Sequence, residues 1–270
     1  MNVQSGVQIA ALDPVWEQIR GETERMAMQE PVMAGMLHAS VLNHPSLEQS
    51  LSYVLAHKLG NVDLPAMLLR QVFDEGLASV KDAASAVRAD IGAVTDRDPA
   101  CHYAVQPLLF FKGFQALQTH RIAHWLWNEG RTTMALFLQS RSSEVFGVDI
   151  NPAARIGCGV FMDHATGVVI GETAVVENDV SMLHGVNLGG TGKERGDRHP
   201  KIRRGVLLGA GCKILGNIEV GAYAKVAAGS VVLQPVRAGC TVAGVPARYV
   251  GECGSEHPAR DMDQRIPFEK

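Results

Sequence analysis

Asp163 and His164 stand side by side in "FMDHATGVV", a stretch that is otherwise mostly small and apolar. An imidazole titrating near neutrality is the usual general base for a hydroxyl proton. A carboxylate on its other nitrogen fixes the tautomer and stabilises the imidazolium that forms. His164 is therefore the candidate base, and Asp163, Asp149 and Glu172 are carboxylates that could orient it. Adjacent residues of an extended segment point to opposite faces, which disfavours Asp163. Asp149, fifteen residues earlier and close to one coil turn away, is the better candidate. Arg198 and His199 end a polar, Gly-rich run, "GGTGKERGDRHPK", and an Arg can bind a carboxylate through two parallel hydrogen bonds. The run fits neither a Walker loop nor a dinucleotide fingerprint. His164, His184 and His199 lack diagnostic zinc spacing, so no metal is expected. Asp98, in "VTDRDPACHY", reads locally as a helix cap or loop residue.

From residue 150 the apolar residues keep a period of six. Ile150, Ile156 and Met162 form one register, and Ile170, Val176, Met182 and Leu188 a second. Ile202, Leu208, Ile214, Val220, Val226 and Val232 form a third. Such hexapeptide units are the signature of a β-helix, in which three short strands and their turns close one coil and coils must stack to bury their apolar faces. Roughly thirteen units predict about four coils. The period breaks twice. Two extra residues enter between Met162 and Ile170, in the unit that contains Asp163 and His164, and a longer insertion between Leu188 and Ile202 carries Arg198 and His199. Insertions in a solenoid collect on one face, often the binding face.

Before residue 145 the texture is helical, with apolar residues at spacings of three and four and breaks at Pro, Gly or Asn. The expected organisation is α+β. An all-helical domain over 1–145 contributes Asp98, a left-handed parallel β-helix with a loop at 189–201 covers 146–250, and a flexible tail covers 251–270. The net charge of −3 and the lack of a basic, aromatic-interleaved run argue against nucleic acid as a partner. The most apolar window, "PLLFFKGFQALQTHRIAHWLW", is interrupted by Lys112, His120, Arg121 and His124 and is not a membrane span. The amino terminus lacks a secretory pattern, so a cytoplasmic location is expected. Five scattered cysteines without a C-x-x-C pair are expected to be reduced thiols.

"DINPAARIG", "DHATGVVIGETAVVENDVSMLHGVNLGGTGK", "GDRHPKI", "GAGCKILGNIEVG" and "AGVPARYVG", following "RDPA" and "HRIAHWLWNEGR", together resemble bacterial serine O-acetyltransferase over about residues 12 to 251. The resemblance implies acetyl transfer from acetyl-CoA, as co-substrate and with no permanently bound cofactor, to the hydroxyl of L-serine, the entry step of cysteine biosynthesis. It implies His164 as base with Asp149 as its partner, Asp98 and Asp163 on the substrate amino group, and Arg198 and His199 on its carboxylate side. It further implies an acetyl-CoA groove between neighbouring subunits at Gly190, Thr191, Ala210 and Ala228, with Arg248 as a phosphate contact. Trimers paired into hexamers and inhibition by L-cysteine at the serine site follow from the same resemblance. Relatives that bind O-acetylserine sulfhydrylase end in Ile, whereas this chain ends "DQRIPFEK", which makes that complex doubtful. The alternatives are a hexapeptide acyltransferase for sugars or amines, a zinc hydratase on the same scaffold, and a non-catalytic β-helical assembly module.

Overall fold

The computed structural model describes residues 13–192, 194–254 and 256–266; the Lys270 ending lies outside the described residues. Among the described residues eight α-helices precede the first strand: α1 Pro14–Gln29, α2 Ala34–Leu37, α3 Leu47–Leu59, α4 Ala66–Ser79, α5 Ala83–Arg97, α6 Val105–Leu109, α7 Lys112–Asn128 and α8 Thr132–Phe146. Local chemistry sets their ends. Pro14 opens α1 behind Asp13, whose carboxylate accepts from Trp16 N–H, and Ser46 caps α3 through Gln49 N–H. Gly147, at φ 68°, closes α8 in the left-handed conformation that a side chain would disfavour.

Strands then run as short pieces: β1 Val148–Ile150, β2 Arg155–Ile156, β3 Phe161–Met162, β4 Val168–Ile170, β5 Val175–Val176, β6 Ser181–Met182, β7 Asn187–Gly189 and β8 Lys201–Ile202. They continue as β9 Leu207–Leu208, β10 Lys213–Leu215, β11 Glu219–Val220, β12 Lys225–Val226, β13 Val231–Val232, β14 Thr241–Gly244 and β15 Ala247–Tyr249. Strands three apart stack in parallel up to β13, giving three faces ordered β1-β4-β7-β10-β13, β2-β5-β8-β11 and β3-β6-β9-β12-β14, the last with β14 directly on β12, and β15 returns antiparallel beside β14. The thirteen periodic residues lie in three vertical columns. Ile150, Ile170, Leu188, Ile214 and Val232 are in register on the first face, and Met162, Met182, Leu208 and Val226 on the third.

The parallel solenoid has five coils rather than the four that the period suggests. Val236 bridges to Val220 and Val242 pairs with Val226, completing the last coil. The spacing from Val232 to Val236 is four, so the final coil escapes a search at six.

Two further expectations are corrected. Cys240 and Cys253 are joined as a disulfide, while Cys101, Cys158 and Cys212 are free. The antiparallel return of β15 brings the pair together, a geometry their spacing does not reveal. In the stretch 251–270, expected to be a flexible tail, the described residues 256–266 fold back, with a short helix α9, Pro258–Asp261, whose Pro258 and Ala259 are buried and whose Ala259 carbonyl accepts from Ser181 Oγ at 2.7 Å. No helix among the described residues is long and apolar enough to cross a membrane.

A polar clamp fixes the helical half to the first coil. Asp90 on α5 is fully buried, and its Oδ2 accepts from Gln118 Nε2 at 2.8 Å and Arg121 Nη2 at 2.7 Å, both on α7. Its Oδ1 accepts from Val160 N–H at 3.1 Å, and Arg121 also donates to the Gly157 carbonyl at 2.7 Å.

His120, a turn from this clamp, is buried with Nδ1 unpartnered, and burial pulls its pKa down to about 3. The unfolded chain then binds a proton that the folded chain refuses between about pH 6.5 and 3. His120 therefore subtracts about 1.4 kcal/mol of stability per pH unit as pH falls through that window. Urea unfolding midpoints should drop more between pH 7 and pH 5 in the native protein than in His120→Gln; equal slopes would refute the assignment.

Candidate active site

The corner between the third and first faces carries Asp163 and His164. Within this longer unit the backbone enters the left-handed region, with φ of 54° at His164 and 56° at Ala165. These are strained values for side-chain-bearing residues and need surrounding support. Asp163 N–H is tied to the Met182 carbonyl at 2.8 Å and Gly167 N–H to the Gly147 carbonyl at 2.7 Å. Lys112 Nζ, at the start of α7, bonds Thr166 Oγ1. At Gly113 an added Cβ would fall 2.1 Å from the Met162 carbonyl oxygen, so only glycine lets α7 approach the strand entering the turn.

A cavity of 310 Å³ opens here, lined by Asp98, Lys112, Asp163 and His164 and by apolar walls that include Phe111 and Phe161. Asp98 follows α5 directly and its carboxylate accepts from Ala100 N–H at 2.8 Å. It thus makes the local turn its sequence suggests and also faces the site. Burial pushes the Asp163 carboxyl up, partly opposed by nearby His164, with neighbouring Asp98 adding to the rise. Two carboxylates facing one cavity suit a cationic group.

His164 is 76% exposed, its Nε2 3.7 Å from Asp163 Oδ1, and its ring stands edge-on to His184 at 6.1 Å. The reason given for disfavouring Asp163 fails, because the backbone turns rather than extends at His164. Neither Asp163 nor Asp149 hydrogen bonds the ring. Asp149 lies on β1, where Gln139 Nε2 donates to its Oδ1 at 2.7 Å. Gln139, Lys112 and the two phenylalanines are site residues that sequence reasoning missed, since each reads as an ordinary member of a helix or apolar run. Glu172 is drawn instead to Arg198, at 2.6 Å.

Arg198 and His199 occupy a different edge, between the first and second faces. His199 Nδ1 accepts from Thr173 N–H at 3.1 Å, and burial, with the Arg198 charge, holds the imidazole below its ordinary range. A Cβ at Gly171 would fall 2.1 Å from this ring. Gly190 and Thr191 begin the insertion on the same edge, in which Lys193 lies outside the described residues.

Ala210 and Ala228 lie with His164 and His184 on the edge between the third and first faces. A column of left-handed glycines runs along it: Gly167, Gly185, Gly211 and Gly229, at φ 75°, 68°, 69° and 69°. A Cβ on Gly185 would meet the Gly211 Cα at 3.3 Å, so the column stays bare and small-walled. Arg248, on β15, is exposed at the far end of the solenoid. Among the described residues, no three His, Cys, Asp or Glu groups are arranged to hold a metal ion.

Residues 15–119 match the family described as "Serine acetyltransferase, N-terminal", and residues 199–234 match "Bacterial transferase hexapeptide (six repeats)". The chain is 55% identical over 255 residues to serine acetyltransferase of Escherichia coli strain K12, covering 94% of this chain and 93% of that one. Among solved structures, the coenzyme A complex of serine acetyltransferase from Brucella abortus strain S19 aligns with a TM-score of 0.89 at 56% identity, covering 91% of this chain and 98% of that one. A serine acetyltransferase complex with cysteine aligns with a TM-score of 0.91 at 53% identity, covering 93% and 98%.

Proposed function

Because the chain belongs to the serine acetyltransferase family, we propose that it transfers acetyl from acetyl-CoA to the hydroxyl of L-serine, giving O-acetyl-L-serine and CoA. The observation that carries this reading is the cavity in which Asp98, from the helical half, meets Asp163 and His164, from the first coil. Asp98 and Asp163 take the serine ammonium there. His164, at the cavity mouth, removes the hydroxyl proton as the oxygen attacks the thioester carbonyl, then returns it to the departing CoA thiolate. No covalent acetyl-enzyme is needed, because both substrates are held together and proximity supplies much of the rate. Asp149 is the partner of His164. Gln139 engages one of its oxygens and leaves the other for the imidazole once the exposed ring turns toward β1.

Arg198 and His199 sit on another edge of the same solenoid, which supports a site completed by a neighbouring copy that supplies them to the serine carboxylate. A trimer would do this, and the glycine column with Ala210 and Ala228 gives a bare wall for a pantetheine arm. Gly190 and Thr191 would meet the arm from the neighbour's edge, and Arg248 a phosphate at its end. Exposed Met28, Val32, Val62 and Met67 on the helical half support pairing of trimers there. L-Cysteine carries the same ammonium and carboxylate as serine, so the same groups would hold it as an inhibitor.

CoA-thiol release from acetyl-CoA, followed with L-serine and then with sugars and amines, should depend on serine. Release with a sugar or amine and none with serine would overturn the substrate assignment.

A further inference from the structure

A second cavity, of 390 Å³, lies on the edge between the second and third faces, roofed by the returning tail. Arg97 and Asp96 at the end of α5 line one side, Asp179 and Tyr223 belong to solenoid turns, and His257 and Arg260 come from the tail. The Arg97 side chain is only 9% exposed, yet its hydrogen bond runs from Nη1 to a neutral hydroxyl, Ser181 Oγ, at 3.1 Å. The nearest carboxylate oxygen, Asp179 Oδ1, is 3.6 Å from Nη2, beyond hydrogen-bonding distance. A guanidinium offers five N–H donors, and a buried charge with so loose a counter-charge is costly. Arg260 faces the same space, exposed, and takes part in none of the ion pairs among the described residues. Two guanidinium groups, an imidazole and a phenol thus line one polar-walled space together with the carboxylates of Asp96 and Asp179.

We propose that this cavity binds a small tetrahedral oxyanion, phosphate or sulfate, held between the Arg97 and Arg260 guanidinium groups. Planar forks match oxyanion geometry with paired hydrogen bonds. Asp179, 66% exposed, turns to solvent as the ion takes its place on Arg97. The bound ion ties the tail to α5 one residue before Asp98. The inference does not rest on the acetyl-transfer reading.

Full-length protein in chloride buffer of constant ionic strength, titrated calorimetrically with inorganic phosphate and separately with sulfate, should show saturable binding. Tm should rise by a few degrees at saturation. Arg260→Gln, at an exposed position, should weaken binding at least about tenfold, since it removes a charge-assisted pair. Arg97→Lys, which keeps the charge and loses the fork, should weaken it too. Saturating CoA should leave phosphate affinity unchanged. Absence of saturable binding, equal affinity in Arg260→Gln, or displacement of phosphate by CoA would each overturn the proposal, the last by locating the ion in the acetyl-CoA groove.

Discussion

Replacing His164 with alanine should lower the rate of serine-dependent CoA release about a thousandfold, the middle of the range for loss of a general base. Loss of packing should not confound that result. The side chain is 76% exposed, so its removal costs little packing, and any stability lost comes from the backbone turn. The backbone at His164 has φ 54°, which alanine tolerates less well than asparagine. His164→Asn is therefore the companion variant, keeping the turn and removing the base. Both should lose kcat in parallel. Retention of more than a tenth of native kcat by His164→Asn would leave the general-base role without support.

Asp90→Ala should cost about 3–5 kcal/mol of stability, the range for removing one partner of a buried ion pair. The substitution strands the Arg121 guanidinium and leaves the Val160 N–H and the Gln118 amide without their acceptor. Total stability of a folded domain is about 5–15 kcal/mol, so this single loss consumes a large share. Urea unfolding gives the measurement. A shift under about 1 kcal/mol would show that the clamp is not structural in the sense argued. A second readout separates positioning from folding. α5 carries Asp90 at its middle and leads into Asp98, while Val160 leads into Phe161 and Asp163. At a temperature where Asp90→Ala remains folded, KM for serine should rise more than kcat falls.

Sequence was most informative where structure repeats. Each of the thirteen residues at the six-residue period lies in a stacked column of the solenoid, and both breaks in the period sit at turns that carry ionisable groups. The final coil was missed only because it is two residues short between Val232 and Val236. The Asp163 argument failed for a related reason. Alternation of side chains holds on a strand, and the insertion that exposes the pair also ends the strand.

The amino-acid order by itself determined that coils would stack, where the stack would be interrupted, and which acids and bases would leave its wall. Those are local constraints, repeated every few residues, so each unit carries its own instruction. Only the tertiary structure decided that Asp98, 65 residues before Asp163, shares a cavity with it, while Arg198 and His199 stand on another edge. It also decided that Gln139 holds Asp149 and that the tail folds back over Arg97. Such meetings depend on how α5, α7 and the first coil dock through Asp90 and Arg121. The docking energy comes from contacts between segments far apart in the chain, and no short stretch of sequence encodes them.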